Sequence, residues 1–173
     1  MRHSLLPVLL MLLLAASTMA QTSVSSESQP VKISSLNTPF AVQAQFSGRF
    51  KVYSSGIALE FEKSRITISE NCPYKGRRLI TRLRVGLATR TEKGWKLVNS
   101  APAIAIQRVL KANDSIDLGE LKFLIPLTEH LELSDHWFVV QIDETSLDGD
   151  GLESADGVSF AHSDRKIFTR LLY

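Results

Sequence analysis

The chain holds one cysteine, Cys72, among 173 residues. No internal disulfide framework is available, so an apolar core must carry the stability. Cys72 also comes too late to be a lipid-attachment cysteine. In Asn71-Cys72-Pro73-Tyr74 it reads as a small turn residue, with no histidine beside it to activate the thiol. Histidine is scarce too. His3 belongs to the apolar leader, and His130, His136 and His162 lack the close spacing of a zinc site. The G-x-S-x-G motif is absent. Ser159, His162, Ser163 and Asp164 are neighbours in sequence, but a catalytic triad is a relation in space rather than in order. These absences weigh against an enzyme.

Aromatics make up 8% of the chain. They do not gather at strand ends, as the girdles of a membrane barrel would. After the leader there is no apolar run near the roughly 20 residues of a spanning helix. The formal net charge of +2 is too small to imply a partner by itself.

The leader has a definite order. Met1-Arg2-His3 is basic, residues 5–16 are almost unbroken apolar sequence, and Thr18 and Ala20 are small. That order predicts a signal peptide over residues 1–20, cleaved after Ala20. The expected destination is the periplasm, the cell surface or the outside medium. Residues 21–30, QTSVSSESQP, are polar and Ser-rich and read as a flexible linker. One domain is expected over residues 31–173.

Its dominant period is two. Phe40, Val42, Ala44 and Phe46 alternate with polar or small residues, Gly48 interrupts as a bulge would, and Phe50 and Val52 resume. Ile57, Leu59, Phe61, Ile66 and Ile68 continue the pattern. Leu79, Leu83, Val85 and Leu87 share a parity, and residues 91–94, TEKG, read as a hairpin connection. Further strands are expected over residues 103–110, 116–118, 121–127, 136–142, 158–160 and 167–173. The runs LKFLIPL and HWFVVQI are apolar throughout, as in strands buried on both faces. No segment sustains a helical period. The pattern predicts an all-β fold, a single antiparallel β-sandwich with an immunoglobulin-like layout as a subclass.

Charge is unevenly placed. Between Arg49 and Lys111 fourteen basic residues face four acids; between Asn113 and Asp156 twelve acids face one base, Lys122. Arg78, Arg82, Arg84 and Arg90 share the parity opposite the apolar residues. They are therefore expected to project together from the outer face of one strand. A row of guanidinium groups grips sulfate, phosphate or carboxylate through forked hydrogen bonds. The bland alternative is a solvated face neutralised by the acidic half.

Residues 143–157, DETSLDGDGLESADG, read as one acidic, Gly-rich loop. Asp148, Asp150 and Glu153 are calcium-ligand candidates there, with Asp143, Glu144 or Asp156 completing the shell, although the spacing is not that of an EF-hand. Trp95, starting a strand after Gly94, is a candidate for stacking on a sugar ring. Trp137, inside an apolar run, reads as a core anchor. Asn113-Asp114-Ser115 is a glycan acceptor triplet if the source is eukaryotic.

The function expected from these features is an exported, non-catalytic binding, adhesion or envelope-assembly module. Its expected partner is another protein, an anionic polysaccharide or an envelope component. Nucleic acid is not expected, because no aromatics interleave with the arginine row in sequence. The alternatives are a secreted hydrolase whose site forms only in three dimensions and a self-assembling chain driven by its opposed charges.

Overall fold

Alternating apolar and polar residues become strands almost wherever they occur. The computed structural model describes residues 27–34, 42–72, 77–127, 133–147 and 153–167. Ten strands lie within them: β1 (Gln29–Ser34), β2 (Val42–Tyr53), β3 (Gly56–Ile68), β4 (Arg77–Thr91), β5 (Gly94–Ser100), β6 (Ile104–Leu110), β7 (Ser115–Asp117), β8 (Leu121–Pro126), β9 (Trp137–Leu147) and β10 (Glu153–Ser163). The fold is all-β, as the period-two pattern predicts. The helical content of the described residues is one 3-10 turn, Leu133–Asp135.

All ten strands belong to one antiparallel sheet in the order β5-β4-β9-β10-β1-β2-β3-β7, with β6 also on β4 and β8 also on β3. Among the described residues the sheet does not close into a barrel. β5 and β6 form one return strand along β4, interrupted at Ala101-Pro102-Ala103. There the Ala101 N–H still donates to the Val85 carbonyl at 2.9 Å. β7 and β8 follow β3 in the same way.

The sheet curls over its own core. Phe50 on β2 and Phe138 on β9 meet edge to face at 4.8 Å, although two strands separate them in the sheet order. Phe46 and Phe61 make a second such contact at 5.2 Å. Buried Ile33, Leu59, Ile66, Leu83, Val85, Leu87, Val140 and Ile142 fill the same interior. No helix among the described residues is long and apolar enough to cross a membrane.

Two bulges matter. The first is the one expected at Gly48, where the β2–β3 register shifts between Ser47 and Gly48. A Cβ on Gly48 would sit 1.9 Å from the Glu60 carbonyl oxygen, so only glycine fits. The second falls between Ile80 and Arg82, where β4 shifts against both β6 and β9. An inserted residue turns every side chain on one side of it to the other face.

Two boundaries differ from the sequence reading. Gln29 and Pro30 are not linker; they pair with Phe50 and Arg49. The acidic stretch 143–157 is not one loop. Asp143 to Leu147 extend β9, and Glu153 to Gly157 pair back onto it. The long β4 supplies the reason: its residues Arg77 to Arg82 offer a ladder that β9 follows out to Leu147. The leader, residues 148–152 and residues 168–173 lie outside the described residues.

Candidate functional site

β4 lies between the return strand β5–β6 and β9. Leu83, Val85 and Leu87 point inward and are fully buried. Directly paired residues of antiparallel strands share a face. The outer face therefore runs Arg82, Arg84, Gly86, Ala88, Arg90 along β4. Opposite them on β9 lie Asp143, Gln141, Val139 and Trp137, and Trp95 on β5 faces Arg90.

The arginine row is not the row the sequence parity implies. Arg78 does not project outward. The bulge between Ile80 and Arg82 changes the parity, so Arg78 joins Ile80 on the inner face and is 0% exposed. Its guanidinium lies 3.3 Å from Oε1 of Glu144, which is equally buried. Ser159 Oγ donates to the same carboxylate oxygen at 2.6 Å. Burial pushes the Glu144 carboxyl above its ordinary pKa, while the Ser159 hydrogen bond and the Arg78 charge pull it back. Arg78 is thus a structural cation and leaves the set of anion-binding candidates.

Arg82 faces outward and pairs with Asp143 at 3.5 Å. Beside it, Leu79, Thr81, Ala103, Ala105 and Gln107 line a shallow hollow of about 640 Å³. Arg84 is half-buried and Arg90 exposed. Their cross-strand neighbours are Gln141 and Trp95, and no ion pair to either forms among the described residues. Among the described residues, the acidic half of the chain therefore covers the first part of β4 and places no acid in an ion pair with Arg84 or Arg90.

Between these two arginines the face is apolar. Ala88 and Val139 are buried yet stand apart from the main core. Trp95, Trp137 and His162 lie over this area, all half-buried. The indoles of Trp95 and Trp137 meet edge to face at 5.4 Å, and Trp95 lies 4.8 Å from the His162 ring at a 34° tilt. Lys166 Nζ sits 4.9 Å over the Trp137 ring and binds Asp135 at 2.9 Å. Gly86 keeps the strand low: a Cβ there would lie 2.3 Å from the Asn99 carbonyl oxygen and 2.8 Å from Leu97 Cδ1.

Trp95 therefore takes part in a cluster rather than standing alone, and Trp137 is not a core anchor. Phe138, the next residue, points into the core instead. Sequence reasoning missed Trp137 and His162 as part of this face. A run such as HWFVVQI is apolar in both parities and cannot say which face is which.

The calcium candidates are not brought together in the described part. Asp148 and Asp150 lie outside it, and Glu153 is placed only by its backbone, opposite Leu147. Asp143 and Glu144, proposed to complete the shell, are committed to Arg82 and Arg78 instead. No group of three or more His, Cys, Asp or Glu side chains suited to a metal occurs among the described residues.

No triad assembles from the residues near the end of β10. Ser163 Oγ donates to the Arg165 carbonyl at 2.7 Å, His162 Nδ1 meets the Ser163 carbonyl at 3.0 Å, and Asp164 accepts from Ser34. Ser159 is buried against Glu144. A separate cleft of about 690 Å³ opens where β1 parts from the segment after β10. Buried Phe50 and Phe138 contribute to its lining, together with three cations, Lys32, Arg165 and Lys166, and two acids, Glu62 and Asp164.

Compared with known proteins, the chain matches no family model, no curated protein sequence and no solved structure.

Proposed function

We propose that this chain is an exported, non-catalytic β-sandwich module that binds an anionic partner on the outer face of β4, β5 and β9. The observation that carries this reading is the position of Arg84 and Arg90. Both lie on the outer face, and neither is paired with an acid among the described residues. A guanidinium is always charged and presents a rigid donor fork, so an uncovered one suits carboxylate, sulfate or phosphate. The curl of the sheet, which brings Phe50 onto Phe138, supports the sandwich description. The basic-apolar-small order of residues 1–20 supports export to the periplasm, the cell surface or the medium.

The test is retention on a dextran sulfate resin at low ionic strength. The wild-type chain, without residues 1–20, is expected to bind and to elute with salt, because exposed charges are screened by it. The double variant Arg84→Gln, Arg90→Gln is expected to elute at clearly lower salt, and Arg78→Lys close to wild type if folded. Passage of the wild type through the resin, or equal elution of the double variant, overturns the reading.

A further inference from the structure

The face that carries Arg84 and Arg90 also limits which polyanion fits it. Arg90 follows Arg84 by six steps along β4, roughly 20 Å at the rise of a strand. No single sulfate or phosphate bridges that distance. The ligand must be extended, and what lies between its two anchored ends is decided by the middle of the face. Among the described residues that middle carries no row of cations. It is the Trp95, Trp137 and His162 cluster over Gly86, Ala88 and Val139, with one ammonium, Lys166, already held by Asp135.

Charge density separates the candidates. A stacked nucleic-acid strand carries a phosphate every ~3.4 Å, so about six would lie over this apolar stretch. An acidic polypeptide places its carboxylates almost as densely. Either would leave most of its charges opposite rings rather than cations. A sugar polymer that carries acid groups at wider intervals leaves neutral rings for the middle. Sugar rings present C–H faces that pack on indole and imidazole surfaces, while acid groups at either end meet the guanidinium forks. The aromatic side chains brace one another, so little rotamer freedom remains to be lost on binding.

We infer that the ligand of this face is an extended acidic polysaccharide, its rings on the Trp95–Trp137–His162 platform and its acid groups on Arg84 and Arg90. This rests on the anion-binding reading of the same face.

The experiment titrates the chain, without residues 1–20, with hyaluronan and unsulfated chondroitin oligosaccharides of increasing length, which carry one carboxylate for every two rings. Polyglutamate and a single-stranded oligonucleotide of matched net charge serve as comparisons. Affinity for at least one sugar series is expected to rise sharply once the oligosaccharide spans about 20 Å, the Arg84-to-Arg90 distance set by the strand rise. Trp95→Ala is expected to weaken that binding about tenfold or more, the scale of one lost aromatic stack, and Trp95→Phe by less. If Trp95→Ala fails to fold, the length dependence of the native chain decides. Equal or tighter binding of polyglutamate or the oligonucleotide, with no length threshold for the sugars, overturns the polysaccharide inference and leaves the anion reading standing. Absence of binding to every polyanion overturns both.

Discussion

The two halves of β4 start from the same kind of sequence and end in opposite environments. In the first half, Arg78 and Arg82 are met by Glu144 and Asp143 of β9. In the second, Arg84 and Arg90 are met by Gln141 and Trp95. The acids of β9 stop at Asp143, where the strand turns into the apolar run leading back to Trp137. Neutralisation therefore follows the register of one strand pair rather than the bulk charge of two halves of the chain. A cation becomes structural where the ladder puts an acid beside it, and stays available where the ladder puts an aromatic beside it.

The largest effect expected from breaking this comparison lies at Arg78. Arg78→Ala leaves the Glu144 carboxyl buried without its cation and should cost about 3–5 kcal/mol. Urea unfolding at neutral pH measures it. The double variant Arg78→Met, Glu144→Leu should recover most of that loss, because apolar replacements carry no desolvation penalty. A double variant as unstable as Arg78→Ala would contradict this account of the pair.

Gly86→Ala should come next, at about 1–3 kcal/mol, the scale of overpacking. Its Cβ meets the Asn99 backbone oxygen, which cannot swing aside as a side chain could. An Ala variant at exposed Gly119 is no reference for this effect, because Gly119 has φ +66, where glycine is at ease and an added Cβ introduces backbone strain. Thr89→Ala, on the same strand and half-buried, is the cleaner reference.

The pH dependence has a definite sign. Glu144 has its carboxyl pKa raised above 4.5 on folding, chiefly by burial. A folded state that binds the proton more tightly loses stability as pH rises through the folded pKa. The contribution from this carboxyl should be fully present below 4.5 and decline above it. Removing the guanidinium raises that pKa further, so Arg78→Ala should lose less stability in acid than at neutral pH. Thermal melts across that range that show a constant difference would break the link between the two groups.

Arg82→Gln should change stability by about 0–1 kcal/mol, since the Arg82–Asp143 pair is half in solvent. Arg84→Gln and Arg90→Gln should fall within about 0.5 kcal/mol of wild type, as surface substitutions do. Their effect should instead appear in the salt needed for elution from dextran sulfate. A large stability loss at Arg84 would mean that it, too, is a structural cation.

Much of the fold was legible along the chain. The inward residues of β2 and the second half of β4 follow strict alternation, those of β3 change parity between Phe61 and Ser64 opposite the Gly48 bulge, and Gly48 marks that bulge because no other residue fits there. The hairpin at residues 91–94 is found where Gly94 suggested it, with φ +110 at that glycine. The second bulge left no such mark. It falls between Ile80 and Arg82, where Thr81 looks like any strand residue, and parity carried across it misplaced Arg78. One signal was present on the partner strand. Phe138, Val140 and Ile142 share the parity of Glu144 and Ser146, so an inward strand face ended in an acid. A buried acid calls for a buried cation, and Arg78 is that cation.

By itself the sequence determined that the chain folds as antiparallel strands, because side-chain alternation acts over neighbouring residues and needs no knowledge of the partner strand. It also determined that basic and acidic residues would be segregated along the chain. Only the tertiary structure decided which arginines face acids, and that Trp95, Trp137 and His162 meet on one face. Those outcomes depend on cross-strand register, and one inserted residue in one strand is enough to reverse them.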